Sequence, residues 1–197
     1  MRSTQNLKRD HLTLRRVRDI ALKGSKVLLE NQPVPIEEIE ILCVVIEEFI
    51  DNFHHGKEES AYFPQTKEKD TYAEEIRKFL IEHEFGRRIA KMLRNAIFNL
   101  KDIQKENAME EQNLQDKNLI EPIARFLRTY AIFIDEHTGK EDRFFDEIEN
   151  IEYISSETDI LLMKHYESCK NKLGGEERIS QMIKLIEYLE TRDWMKY

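Results

Sequence analysis

Glycine and proline are scarce in this 197-residue chain, six and four in all, which argues against a turn-rich all-β fold. Cysteine is scarcer still. Cys43 and Cys169 are too few for a disulfide framework, and neither stands in a CxxC or other zinc spacing. Both are expected to be reduced and mostly buried. The chain lacks any run of about 18 apolar residues, and its N-terminal MRSTQNLKRD lacks the apolar centre of a signal peptide. No membrane partner is expected, and the expected location is the cytoplasm. It also lacks a large cluster of Lys and Arg: with a formal net charge of -8, general repulsion from phosphate excludes nucleic acid as the expected partner. The one basic patch, KRDHLTLRRVR at 8–18, is local and lies on a single helix.

What is there is charge and apolar residues in near balance, 36% against 40%, the composition of helices with one wet face. The length suits one domain with a sizeable core. Residues 5–30 read as a first helix, with Leu7, His11, Leu14, Val17 and Ala21 on one face. Pro33 and Pro35 end it. A second helix opens at Ile36, carries Ile39, Cys43, Ile46, Ile50 and His54 on one stripe, and stops near Pro64; 65–70 is a polar connector. A third runs from about Thr71 to Lys105 with Ile76, Phe79, His83, Ala90, Leu93 and Ile97 inward, and 105–118 reads as a frayed end plus loop. Asn118 would cap a fourth helix, which carries Ile123, Phe126, Tyr130, Phe133 and His137 and ends near Ile148. The fold class expected is all-α: an up-down-up-down four-helix bundle over 1–150, with two extra C-terminal helices, 156–172 and 176–190, as an accessory extension over 151–197. Contact between two copies of the chain through those helices is an alternative role for them.

Within this pattern one short phrase is repeated. FHHGKEESAYF at 53–63 returns as IDEHTGKEDRFF at 134–145, so His-x-Gly-Lys-Glu occurs twice, each time directly after an apolar run. Residues i and i+4 of a helix lie one above the other, so His54 with Glu58, and His137 with Glu141, each form a two-ligand clip. Stepping back from His54 by 4, 8, 11 and 15 gives Ile50, Ile46, Cys43 and Ile39, whereas stepping back from His55 by 4, 7 and 8 gives Asp51, Glu48 and Glu47. His54 is therefore expected inward, and His55 with Glu59 outward in water. The same test places His83, His137 and His11 inward. Two unpartnered buried glutamates would cost several kcal/mol each, and a metal centre removes that difficulty. Imidazoles and carboxylates without thiolate suit iron or manganese, and two carboxylates able to bridge suit a pair of ions.

The order His11, His54-x-x-x-Glu58, His83-x-x-x-Arg87, His137-x-x-x-Glu141, together with FHHGKEESAYFP, resembles the hemerythrin-like, or HHE cation-binding, family over residues 7–150. The resemblance implies a non-haem di-iron centre, two Fe ions with an oxo or hydroxo bridge or another divalent metal, with Glu58 and Glu141 bridging and His11, His54, His83 and His137 as terminal metal ligands. The implied ligand is a small-molecule oxidant, oxygen, peroxide or nitric oxide, which the centre binds or reduces behind a sleeve of Phe53, Phe79, Phe133 and Phe144. The implied alternative is an oxygen- or iron-sensing or iron-delivery module that signals through a protein partner. The bland alternative is a helical bundle whose histidines only pack.

One departure from the family stands out. The oxygen-carrying members have a second histidine where this chain has Arg87. The centre then keeps an open position or recruits an oxygen ligand, Tyr130 or Tyr62, while Arg87 pairs with a bridging glutamate, stabilises a bound anion or forms a salt bridge at the rim. Lys57 and Lys140, offset ~100° from the glutamate after them, are expected to point away from the centre as solvated or snorkelling side chains. Gly56 and Gly139 mark either a close helix approach or a local loosening.

Overall fold

The computed structural model describes residues 1–67, 70–109 and 117–197, and among these there is no strand. The chain folds as α1 (Arg2–Leu29), α2 (Ile36–Val45), two π-helical segments (Ile46–His55 and Glu58–Tyr62), α3 (Phe63–Lys67), α4 (Ala73–Met109), α5 (Lys117–Asn150), α6 (Ser156–Leu173) and α7 (Gly175–Glu190). No described helix is long and apolar enough to cross a membrane.

The boundaries differ from the expected ones where a partner distant in sequence intervenes. α1 begins three residues early because Asp159 of α6 caps it: Arg2 N and Ser3 N donate to its carboxylate at 3.1 and 2.9 Å. Those are N–H groups that an isolated helix start leaves unpaired, and the carboxylate also faces the positive end of the helix. Pro64 does not stop its helix. It sits in the first turn of α3, where a missing N–H is tolerated, so the expected connector at 65–70 starts as helix and residues 68–69 of it lie outside the described residues. α4 runs on to Met109. Of the loop expected at 105–118, residues 110–116 lie outside the described residues, and Asn118 falls inside α5 instead of capping it. α6 is as anticipated: Ser155 Oγ accepts from Thr158 N at 3.2 Å at its start, and Gly174 at φ 118° ends it in a conformation that favours glycine.

α5 packs against both α1 and α4, and the stretch 36–67 closes against α1 and α4 in turn. The buried apolar residues form two clusters. One holds Leu14, Val17, Ile50, Leu93, Leu127 and Ile134; the other holds Leu7, Tyr62, Phe63, Phe79, Phe144 and Phe145. On every one of these four helical stretches the stripe passes from one cluster to the other through a histidine. The C-terminal residues Met182, Ile186, Leu189 and Trp194 belong to the first cluster, and Arg16 of α1 forks onto Glu190 of α7 at 2.8 and 2.7 Å. Residues 151–197 therefore share the core of 1–150. The basic patch is held in ion pairs too, Lys8 with Asp146, Arg15 with Asp142 and Arg18 with Asp135.

The glycines in the repeated phrase are not points of close approach. A Cβ at Gly56 would meet nothing within 4 Å, and one at Gly139 only Arg143 Nη1 at 3.9 Å. The close approach is at Gly86, where a Cβ would lie 2.5 Å from Phe133 Cε1 and 2.7 Å from its Cζ. Gly86→Ala gains about 1 kcal/mol of helix propensity but overpacks a buried ring at a cost of about 1–3 kcal/mol. Gly139→Ala gains the propensity alone. Urea unfolding is expected to show the first variant less stable than the parent and the second equal or more stable; the reverse order would refute the packing assignment.

Candidate metal centre

At the seam between the two clusters, seven fully buried side chains converge. They form two groups, His55, His83 and His137 in one and His11, His54, Glu58 and Glu141 in the other, each with ligand atoms within 4.8 Å of one another. All six of the residues expected as ligands, His11, His54, Glu58, His83, His137 and Glu141, are among them. The two carboxylates touch both groups. Glu58 lies 3.4 Å from His54 Nε2 through Oε1 and 3.5 Å from His83 Nε2 through Oε2. Glu141 lies 3.4 Å from His83 Nε2 through Oε1, and its Oε2 is 3.2 Å from His137 Nε2 and 3.3 Å from His11 Nε2.

These contacts are not hydrogen bonds. The Nε2 atoms of all five rings and all four glutamate oxygens are buried without a hydrogen-bond partner. Donors bound at about 2.1 Å to one ion and at right angles would lie about 3 Å apart, so the separations suit atoms that share an ion. Burial, above all, drives the carboxyls of Glu58 and Glu141 well above the carboxylate range; Lys57 opposes it at Glu58, and Glu58 raises Glu141 further. Burial likewise holds His54, His55, His83 and His137 below the usual imidazole value, hence neutral with a lone pair free. The side chains present therefore fit a metal ion: neutral nitrogens, acidic oxygens that need a positive neighbour, and no competing partner.

The outer nitrogens are organised in a closed circuit. His54 Nδ1 meets Asp10 of α1 at 3.2 Å; His83 Nδ1 meets Glu59 at 2.8 Å; His137 Nδ1 meets Glu82 of α4 at 2.8 Å; His11 Nδ1 meets Asp142 of α5 at 2.7 Å. Each of these carboxylates is the sequence neighbour of a residue in the centre, and each clamps the ring of the next helix round. A carboxylate only accepts, so Nδ1 carries the proton and Nε2 turns its lone pair inward. Each carboxylate is also gripped by a cation from the helix whose histidine it holds: Lys57 on Asp10, Arg87 on Glu59 at 2.6 Å, Lys140 on Glu82 at 2.6 Å, Arg15 on Asp142. The chain thus spells His-x-x-Lys twice and His-x-x-x-Arg twice. Burial pushes Asp142 up, but hydrogen bonds from His11 and Arg15 outweigh it; hydrogen bonding to His137 holds Glu82 down.

The circuit corrects the expectations for two lysines and selects the salt-bridge alternative for Arg87. Lys57 is not solvated: it is fully buried, bonded to Asp10 and to Asn6 at 2.8 Å, and lies 4.2 Å over the Phe53 ring. Lys140 is half-exposed but pairs with Glu82. Arg87 pairs with Glu59 and, at 2.6 Å, with Asp51, so it acts on the ring of His83 through Glu59 and does not meet either glutamate of the centre.

The largest correction is His55. It is buried, its ring stacks on His83 at 3.8 Å and 13°, and Glu59 faces His83 and Arg87 instead of His55. The phase argument assumed 100° per residue, whereas Ile46–His55 is π-helical, with bonds from i to i+5 and a smaller rotation per residue. The inward arc then admits consecutive residues, and Phe49, Ile50, Phe53, His54 and His55 are all buried. Steps of five back from His55 give Ile50 and Val45, both buried; that was the legible signal. The fifth imidazole therefore comes from the second helical stretch and not from position 87. Neither tyrosine is needed to complete the set: the hydroxyl of Tyr62 pairs with Thr4 Oγ1 at 3.3 Å, and Tyr130 packs on Phe133. Of the expected sleeve, Phe133 stacks on His137 at 5.2 Å and Phe79 stands edge-on to it. Phe63 and Phe145, which were not anticipated, cover His83 and His11.

In metal-free protein, raised carboxyl pKa values mean that stability is fullest below the unfolded value of about 4.3 and is lost as pH rises through the folded one. The double variant Glu58→Gln with Glu141→Gln lacks that loss. It is expected to be more stable than metal-free parent at pH 8, with the gap narrowing toward pH 5; a gap that is absent at pH 8 in thermal unfolding would show that folding does not raise these carboxyls. No family model matches the chain, and neither a curated protein nor a solved structure matches it.

Proposed function

We propose that the chain is a hemerythrin-like protein, a four-helix bundle with two added C-terminal helices, whose centre holds two iron ions and binds or reduces a small oxidant: oxygen, peroxide or nitric oxide. The observation that carries this reading is the set of unpartnered inner atoms, five Nε2 and four carboxylate oxygens, gathered at one buried place. His11 and His54 would hold one ion, and His55, His83 and His137 the other. Glu58 and Glu141, each within reach of both groups, would bridge them. Iron there would supply the electrons and the Lewis acidity.

The chain's own residues do the remaining work. The four carboxylates keep the Nδ1 of His11, His54, His83 and His137 protonated and those four rings oriented. Their cations keep those carboxylates from drawing the proton away. Phe63, Phe79, Phe133 and Phe145 stand against the rings of His83, His137 and His11 and keep water from those sides, which favours a small uncharged oxidant as the visitor.

The sensing or iron-delivery reading has one observation in its favour: Tyr166 of α6 lies 5.3 Å from Lys57 Nζ, so the C-terminal helices touch the circuit behind His54. It predicts that metal loading changes amide exchange in α6, and unchanged exchange there would remove its basis.

For the main reading, iron-replete protein is expected to carry two irons per chain with near-ultraviolet charge-transfer bands that respond to peroxide or nitric oxide. His54→Ala and Glu141→Ala are expected to lower the metal content. Wild-type metal content in both variants would leave only the bland reading, histidines that pack. Asp10→Ala and Glu82→Ala, which remove only an outer clamp, should weaken metal binding by roughly 10–100-fold.

A further inference from the structure

Four of the five rings are clamped, and His55 is not. Both of its nitrogens are buried without a hydrogen-bond partner. The nearest carboxylate oxygen, Asp51 Oδ1, is 3.5 Å from its Nδ1 and already accepts from Arg87 Nε at 2.6 Å. The ring is held by ring contacts, stacked on His83 and edge-on to His137 at 5.6 Å, and these fix a plane without fixing which atom points inward. Its backbone is the last residue of the π-helical segment Ile46–His55, followed by Gly56, beside which a Cβ would find open space.

There is also somewhere for the ring to go. A cavity of about 270 Å³ reaches His55 between α2, α4 and α5, lined by Ile46, Asp51, Gly86, Arg87 and Tyr130. At about 30 Å³ per water it holds several waters or one five-membered ring. The bare Cα of Gly86 belongs to this wall, and Arg87, about one-third exposed, stands at its outer side.

We propose that His55 is the exchangeable member of the ligand set: its ring can withdraw into this cavity, and a small nitrogen or oxygen donor arriving through the same cavity takes its place. The proposal rests on the metal-centre reading above and adds which of the five nitrogens yields. It also gives the π-helical turn a purpose, since that turn brings a second consecutive histidine to the centre without a clamp of its own.

The test uses full-length protein with zinc or iron and free imidazole as the probe. His55→Gly is compared with His83→Gly and His137→Gly, and His55→Gln serves as a second variant that leaves less empty volume. His55→Gly is expected to retain two ions per chain, to lose at most about tenfold in metal affinity, the lower end of the range for loss of a supporting partner, and to bind imidazole with recovery of the parental absorption and melting temperature. His83→Gly and His137→Gly are expected to lose an ion and to gain nothing from imidazole. Metal loss in both His55 variants as large as in His83→Gly, or imidazole without effect on metal content, spectrum and melting temperature of His55→Gly, would overturn the proposal. A parent chain that takes up no metal would instead sink the reading beneath it.

Discussion

Two carboxylates closed inside a protein, with no hydrogen bond to any of their four oxygens, set the terms for everything around them. An ion of that kind costs several kcal/mol even after relaxation, against a total stability of about 5–15 kcal/mol for an ordinary domain. The circuit outside has no cation to spare for them: Lys57 answers Asp10, Arg15 answers Asp142, Lys140 answers Glu82, and Arg87 is shared between Glu59 and Asp51. Burial holds His54, His55, His83 and His137, between the two layers, below the usual imidazole value. Positive charge has to come from within the centre itself, as protons in the metal-free chain or as metal ions.

The four helical stretches and most of the centre were readable because straight α-helix keeps a constant phase. His11, His83 and His137 follow from apolar neighbours three and four residues away, and so does His54. The outer carboxylates were readable in principle but were passed over, since Asp10, Glu59, Glu82 and Asp142 look like ordinary wet-face acids beside a buried residue. What identifies them is the pairing of each with a Lys three, or an Arg four, residues after a buried histidine on another helix. That pairing also accounts for the repeated lysine of His-x-Gly-Lys-Glu, whose glycine has no packing role at either copy.

Other features were not legible because they depend on contacts distant along the chain or on a change of helix type. The early start of α1 is fixed by Asp159, and nothing near residue 2 announces it. The inward turn of His55 needs a π-helical segment, and a 100° projection hides that by construction. It was the family resemblance that made Arg87 look like a substituted ligand, when its position relative to His83 matches that of Arg15 relative to His11.

The two layers also explain why the rings are clamped from outside and not from within. A donor that hydrogen-bonded Glu58 or Glu141 directly would ease their burial but would occupy the lone pairs that a metal needs. Placing the compensating groups beyond Nδ1 leaves those lone pairs unused while orienting the Nε2 of His11, His54, His83 and His137 through the far nitrogen of each ring. Protons and metal then compete for the same inner atoms, so metal uptake must release protons and strengthen as pH rises through the range where the carboxyls and rings give them up. A centre built this way is preorganised at the cost of its empty state, and that cost falls on Glu58 and Glu141, whose four oxygens have no hydrogen-bond partner.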